Sequence, residues 1–124
     1  MHFLSRCLLW IAAALLFLGA FLHTSAFPRV LSAVASSNLP SFFGQSLKGL
    51  WLIDSMTLLI LAVVFGLLAA KPALASGLVL ALIALIPVGT AVLLYIFMGL
   101  FPAAHLLMVA GGLAVAAGLL RINA

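Results

Sequence analysis

Asp54 is the single acidic residue of this chain, and it falls inside an otherwise apolar run, LKGLWLIDSMTLLILAVVFGLLAA. A carboxylate in such a setting is costly and is usually paired or functional. The side chains able to answer it are few: the imidazoles of His23 and His105, the phenol of Tyr95, the indole N–H of Trp51 one helical turn before it, and the hydroxyls of Ser55 and Thr57. An Asp and His pair in low dielectric shifts the titration of both partners and would take up and release a proton near neutral pH.

The same inventory excludes other chemistry. One acid cannot supply paired catalytic carboxylates, and no Ser, His and Asp spacing suggests an activated nucleophile. A zinc site would have to be assembled from two histidines and Asp54. The lone Cys7 excludes an intramolecular disulfide and is expected to be a packed thiol. The expectation is therefore a binding, transport or assisting role rather than an enzyme. An alternative is electron transfer: His23 and His105 as axial ligands of a b-type haem, with Gly19 one turn before His23 leaving room for the ring and Arg29 or Lys48 near the propionates, or a related quinone anchor. Another alternative is an accessory or assembly subunit of a larger membrane complex.

The elements that must position these residues follow from composition. With 69% hydrophobic and 5% charged residues, the chain lacks the polar surface that water requires, so lipid is its solvent. The net charge of +4 comes from Arg6, Arg29, Lys48, Lys71 and Arg121, dispersed singly between apolar stretches. That is the distribution of helix-end anchors, and no nucleic-acid patch is present.

Spans of about 20 apolar residues cross a hydrocarbon core of about 30 Å. Four fit, at about 3–26, 47–70, 73–98 and 102–120. The predicted fold is all-α: one transmembrane domain over residues 1–124, an integral-membrane four-helix up-down bundle whose later spans are successive antiparallel neighbours. Arg6, the apolar run 8–22 and the small residues Thr24, Ser25 and Ala26 form the three parts of a secretory signal, which is read here as a retained signal-anchor helix. The loop 27–46 is expected to hold a short amphipathic interfacial helix, begun by Pro28 and ended by Asn38 and Pro40, then an interfacial turn at Phe42, Phe43 and Gly44. It would serve as a lid or as a surface linker. Pro87 is expected to kink the third span.

Insertion of Asp54 is affordable. The Leu, Ile, Val and Phe residues around it contribute about −0.3 to −0.6 kcal/mol each, which outweighs an Asp penalty of about +3 kcal/mol. Up-down threading at about 1.5 Å per residue places His23, Asp54, Tyr95 and His105 in one leaflet, roughly 5 to 10 Å below its surface. Small-residue stripes, which mark the packed sides of membrane helices, carry His23 with Gly19 and Ala12, Tyr95 with Ala91, Ala84 and Gly77, and His105 with Gly112 and Ala116. Asp54 lies about one residue round from the corresponding stripe of its own helix.

The predicted ligand or proton site is thus Asp54, His23, His105, Tyr95 and Trp51, with Trp51 and Tyr95 equally suited to an interfacial aromatic belt. The expected surroundings are a lipid bilayer, a bacterial inner membrane, and a homo-oligomer or larger membrane complex. Arg6, Lys71 and Arg121 on one side against Arg29 and Lys48 on the other favour both termini in the cytoplasm.

Overall fold

The computed structural model describes residues 2–123. It contains five α-helices: α1 (His2–Ser25), α2 (Phe27–Ala35), α3 (Ser41–Ala70), α4 (Gly77–Met98) and α5 (Pro102–Ile122), with a short 3-10 turn at Pro72–Leu74 between α3 and α4. Four apolar stretches are long enough to cross a membrane, and no strand occurs among the described residues. The chain is an integral membrane protein with a helical-bundle fold.

Proline and glycine set the helix ends. Pro28 and Pro102 sit in first turns, where a missing backbone N–H costs nothing. Lys71 precedes Pro72 and is driven out of helical geometry, which stops α3. Ser76 caps α4 by accepting the Val79 N–H at 3.3 Å. Gly99, at φ 69°, closes α4 in a conformation that side-chain-bearing residues rarely adopt.

Two boundaries differ from the sequence expectation. The second span begins at Ser41 rather than near residue 47, so Phe42, Phe43 and Gly44 are helical and not a turn. A turn there would leave backbone groups without partners, whereas Pro40 starts a helix whose glycine is used for close approach: a Cβ on Gly44 would lie 2.9 Å from Val34 Cγ1. The third span starts at Gly77 instead of 73, because residues 72–74 are held in the 3-10 turn.

The helices pack as two hairpins. Arg6 meets Ala69, Trp10 lies over Gly66, His23 meets Ser55 and Val34 meets Gly44, so one arm advances as the other retreats by nearly the same number of residues. The α1–α2 arm therefore follows α3 antiparallel along its whole length. The second hairpin is α4 with α5, whose backbones touch where a Cβ on Gly77 would lie 2.6 Å from the Gly118 carbonyl oxygen and one on Gly111 would lie 2.6 Å from Val88 Cγ2. Helix α1 is central, flanked by α3 on one side and α5 on the other. Although consecutive, α3 and α4 make no extended contact, so chain order is not neighbour order. The core between the hairpins is filled by Leu9, Leu16, Phe65 and Leu80, all fully buried.

Pro87 does not interrupt α4. It is buried, and its ring meets the Cβ position of Gly111 at 3.2 Å, while Thr90 donates its hydroxyl to the Ile86 carbonyl at 2.9 Å. Pro87 and Val88 thus pack against α5 at Gly111.

One end of the bundle is pinned by arginine. Arg121 donates from Nε to Ser5 Oγ at 2.9 Å and from Nη2 to the Leu68 carbonyl at 2.9 Å, with a longer reach of 3.4 Å from Nη1 to the Pro72 carbonyl. Ser5, itself buried, passes its hydrogen to the Ala117 carbonyl at 3.0 Å, and Arg6 Nε reaches the Ala69 carbonyl at 2.9 Å. Carbonyls at a helix C-terminus lack intrahelical donors and carry partial negative charge, so two guanidinium groups are well matched to the end of α3.

Candidate functional site

At the opposite end from the arginines, the register of the first hairpin brings His23 of α1 against α3. Asp54 and Ser55 lie three and four residues after Trp51, so all three share one side of the helix and reach the same partner. Trp51 donates its indole N–H to the His23 carbonyl at 2.8 Å, and the two rings stack at 4.0 Å between centroids and 11° between planes. His23 Nδ1 lies 2.8 Å from Ser55 Oγ, and His23 Nε2 lies 3.3 Å from Asp54 Oδ2. Ser55 Oγ is also 3.1 Å from the Trp51 carbonyl.

These distances restrict where hydrogens can sit. Ser55 has one hydroxyl hydrogen to give. If it goes to the Trp51 carbonyl, Nδ1 must carry a hydrogen and donate it to Oγ, and a favourable contact at Asp54 then requires a second hydrogen on Nε2. If the ring is neutral with its hydrogen on Nε2, the hydroxyl turns to Nδ1 instead. In both states Nε2–H faces the carboxylate, and a proton arriving at Nδ1 is accommodated by rotation of one hydroxyl.

The pair opens on a groove of about 390 Å³ between the two hairpins. Gly19, His23, Trp51 and Asp54 line one wall; Leu94, Met98, Phe101 and Leu106 line the other. Gly19 is placed where a Cβ would come within 3.2 Å of Leu106 Cδ2, so the bare backbone there lets Leu106 of α5 close on α1. The Asp54 side chain retains 41% of its exposure, against 21% for His23. Because α3 begins earlier than expected, the level of Asp54 is set by its contact with His23 and not by a count from residue 47.

Of the five predicted site residues, His23, Trp51 and Asp54 come together. Tyr95 and His105 form a separate pair, with the phenol oxygen 2.6 Å from His105 Nδ1 and the ring centroids 5.3 Å apart. They join α4 to α5 and are not among the groove-lining residues. His105 is exposed, contrary to the stripe that carries it: a Cβ on Gly112 would meet nothing, and the buried face of α5 runs through Ala104, Leu107, Gly111, Ala114 and Gly118, one position round. The indole N–H of Trp51, one of several candidate donors to Asp54, goes to the His23 backbone carbonyl instead. Thr57 returns its hydroxyl to the Ile53 carbonyl of its own helix and takes no part.

The residues do not fit a haem held by His23 and His105. Both ring nitrogens of His23 face groups on α3, and its ring face is covered by Trp51. No cluster of three or more His, Cys, Asp or Glu able to hold a metal ion occurs among the described residues.

The polar group that sequence reasoning missed is Ser5 with Arg6 and Arg121. Arg6 and Arg121 thus do more than the helix-end anchoring that their spacing suggests: they tie helices together. A signal was present for Ser5, which continues the buried stripe of Leu9, Ala12 and Leu16 at helical spacing. Comparison with known families, curated proteins and solved structures finds no match for this chain.

Proposed function

We propose that the chain is a membrane-embedded binding and transport module that exchanges a proton for a ligand taken up in one leaflet. The observation that supports this reading is the contact of His23 Nε2 with Asp54 Oδ2 at 3.3 Å, opening directly on an apolar groove. A carboxylate that already faces an N–H holds its position whether or not a ligand is present. The Ser55 hydroxyl gives the imidazole a partner in either protonation state, so proton uptake needs no movement of a helix.

The test uses the second tryptophan as the one to remove. In a Trp10→Phe background, Trp51 becomes the sole indole reporter and is stacked on the ring that titrates. In lipid nanodiscs its emission should pass through a transition between about pH 5 and 8, the range in which histidine changes charge. His23→Gln should remove the transition. A flat response in the parent protein would refute proton exchange at this pair.

A second reading, an accessory subunit of a larger membrane complex, is favoured by a different feature. His23 and Ala26 share the groove with Met98, Phe101 and Pro102, so α2 and the first ten residues of α3 lie beyond the α4–α5 turn. Along α3 this extension amounts to about 15 Å at 1.5 Å per residue. It exposes Leu39, Phe42, Phe43 and Leu47, with Phe42 at 72%. A photo-crosslinking residue at position 42 in native membranes should give a protein adduct if this reading is right; adducts with lipid alone count against it.

A further inference from the structure

We propose that the groove beside Asp54 takes a single protonated amine carried on a compact apolar body, whose N–H is donated to the Asp54 carboxylate. This rests on the binding reading given above and names its ligand class.

The assignment comes from the donors and acceptors left available. The indole N–H of Trp51 is engaged by the His23 carbonyl, the Ser55 hydroxyl by Trp51 or His23, and both His23 nitrogens by Ser55 and Asp54. What the site offers a ligand is therefore the second carboxylate oxygen of Asp54, which accepts hydrogen bonds and donates none when ionised. A ligand carbonyl, phosphate or carboxylate finds no free donor there, and an anion also meets like charge. The ligand must bring the hydrogen. An ammonium group does so with a charge-assisted bond, the strong kind.

Charge and shape narrow the class further. Asp54 is the one acid of the chain, so a single positive charge is neutralised per subunit and a dication would carry an unpaired charge into an apolar site. Leu58, Leu94, Met98, Phe101 and Leu106 supply apolar walls. The volume of about 390 Å³ lies at the small end of ligand pockets, which run from roughly 300 to 1,000 Å³. When the amine approaches, the proton that makes His23 cationic is repelled by it and leaves to water. Occupancy by ammonium and by that proton are thus alternatives, and the charge of the site is unchanged by the exchange.

The experiment compares three isosteric probes, cyclohexylmethylamine, cyclohexylmethanol and cyclohexanecarboxylate, by Trp51 emission in the Trp10→Phe protein in nanodiscs of neutral lipid. The amine is expected to bind saturably and at least about tenfold more tightly than the alcohol, whose O–H can donate to the same carboxylate but which brings no positive charge to it. The carboxylate is expected to leave the emission unchanged. In weak buffer at mildly acidic pH, amine binding should release a proton. Asp54→Asn should bring the amine to the level of the alcohol. Met98→Trp, read by proton release because it adds an indole, should weaken amine binding by filling the groove while leaving the carboxylate in place.

Equal binding of amine and alcohol, indifferent to Asp54→Asn, would overturn the ligand class while the pH transition of Trp51 still stood. Binding of none of the probes would overturn it as well. Amine binding that depends on Asp54 but releases no proton, in a protein whose Trp51 shows no pH transition, would uphold the amine and remove the exchange.

Discussion

Arg121 Nε donates to Ser5 Oγ at 2.9 Å, joining the last turn of α5 to the first turn of α1. The same guanidinium reaches the Leu68 carbonyl on α3, so one side chain ties three helices. Arg121→Ala should destabilise the protein by about 2–3 kcal/mol, since hydrogen bonds to charged groups are worth roughly 1.5–3 kcal/mol and the Leu68 carbonyl loses its donor. Ser5→Ala should cost about 1 kcal/mol. Arg121→Lys should recover little, because an ammonium lacks the planar fork that serves separated acceptors. Thermal unfolding in detergent, followed by helicity, measures all three.

The close approach of α4 to α5 predicts a sharp difference between neighbouring glycines. A Cβ on Gly118 would lie 2.8 Å from the Gly77 carbonyl oxygen, whereas one on Gly112 would meet nothing within 4 Å. Gly118→Ala should therefore destabilise by about 1–3 kcal/mol through forced backbone separation. Gly112→Ala should be neutral or slightly stabilising through helix propensity. Equal melting temperatures for the two variants would contradict the packed face assigned to α5.

Ser55→Ala removes the hydroxyl that serves His23 Nδ1 in both protonation states. The Trp51 pH transition should survive, because Asp54 still faces Nε2, but the ring loses its second anchor and should stack less firmly on Trp51. The expected result is a smaller emission change, with protein stability lowered by about 0.6 kcal/mol, the average for side-chain hydrogen bonds between membrane helices, and by no more than about 1.7 kcal/mol.

We expect both termini on the cytoplasmic side of a bacterial inner membrane. Arg6, Lys71 and Arg121 gather at the end where α1 starts and α5 finishes, against Arg29 and Lys48 at the other. A reporter that folds only in the cytoplasm should be active when fused after Asn123, and one that needs export should be inactive. The reverse pattern would invert the assignment and put the groove on the cytoplasmic face.

The four spans were legible because their lengths and apolarity are imposed by the bilayer, and depth put both His23 and His105 within reach of Asp54 without choosing between them; the contact of α1 with α3 brings His23 to it. Facing was less legible. The small-residue stripe picks out the packed face of α4, where Gly77 and Ala81 touch α5 and Ala84 is fully buried, yet on α5 it selects Gly112 over Gly111, since both are glycine and one residue of rotation separates them. Neighbour order was not legible: a short connection between α3 and α4 suggests adjacency, but the arginine contacts and the glycine surfaces place α1 between α3 and α5. The Ser5 cluster was hidden for a related reason, as a serine near a helix end looks solvated until the partner helix is known.

The bond between Ser5 and Arg121 also has a consequence for assembly. Helix α1 is made before α5, and α1 owes one of its two flanks to α5. The first hairpin can insert and pair as a unit while translation continues. Its α5-facing side, including the hydroxyl of Ser5, must then wait in lipid or against the insertion machinery until the fourth span arrives. In a Cys7→Ser background, translation arrested before α5 should leave a paired but unsealed intermediate, recognisable by reactivity of a thiol placed at Ala117's partner position, Ser5, that disappears once α5 has been made and inserted.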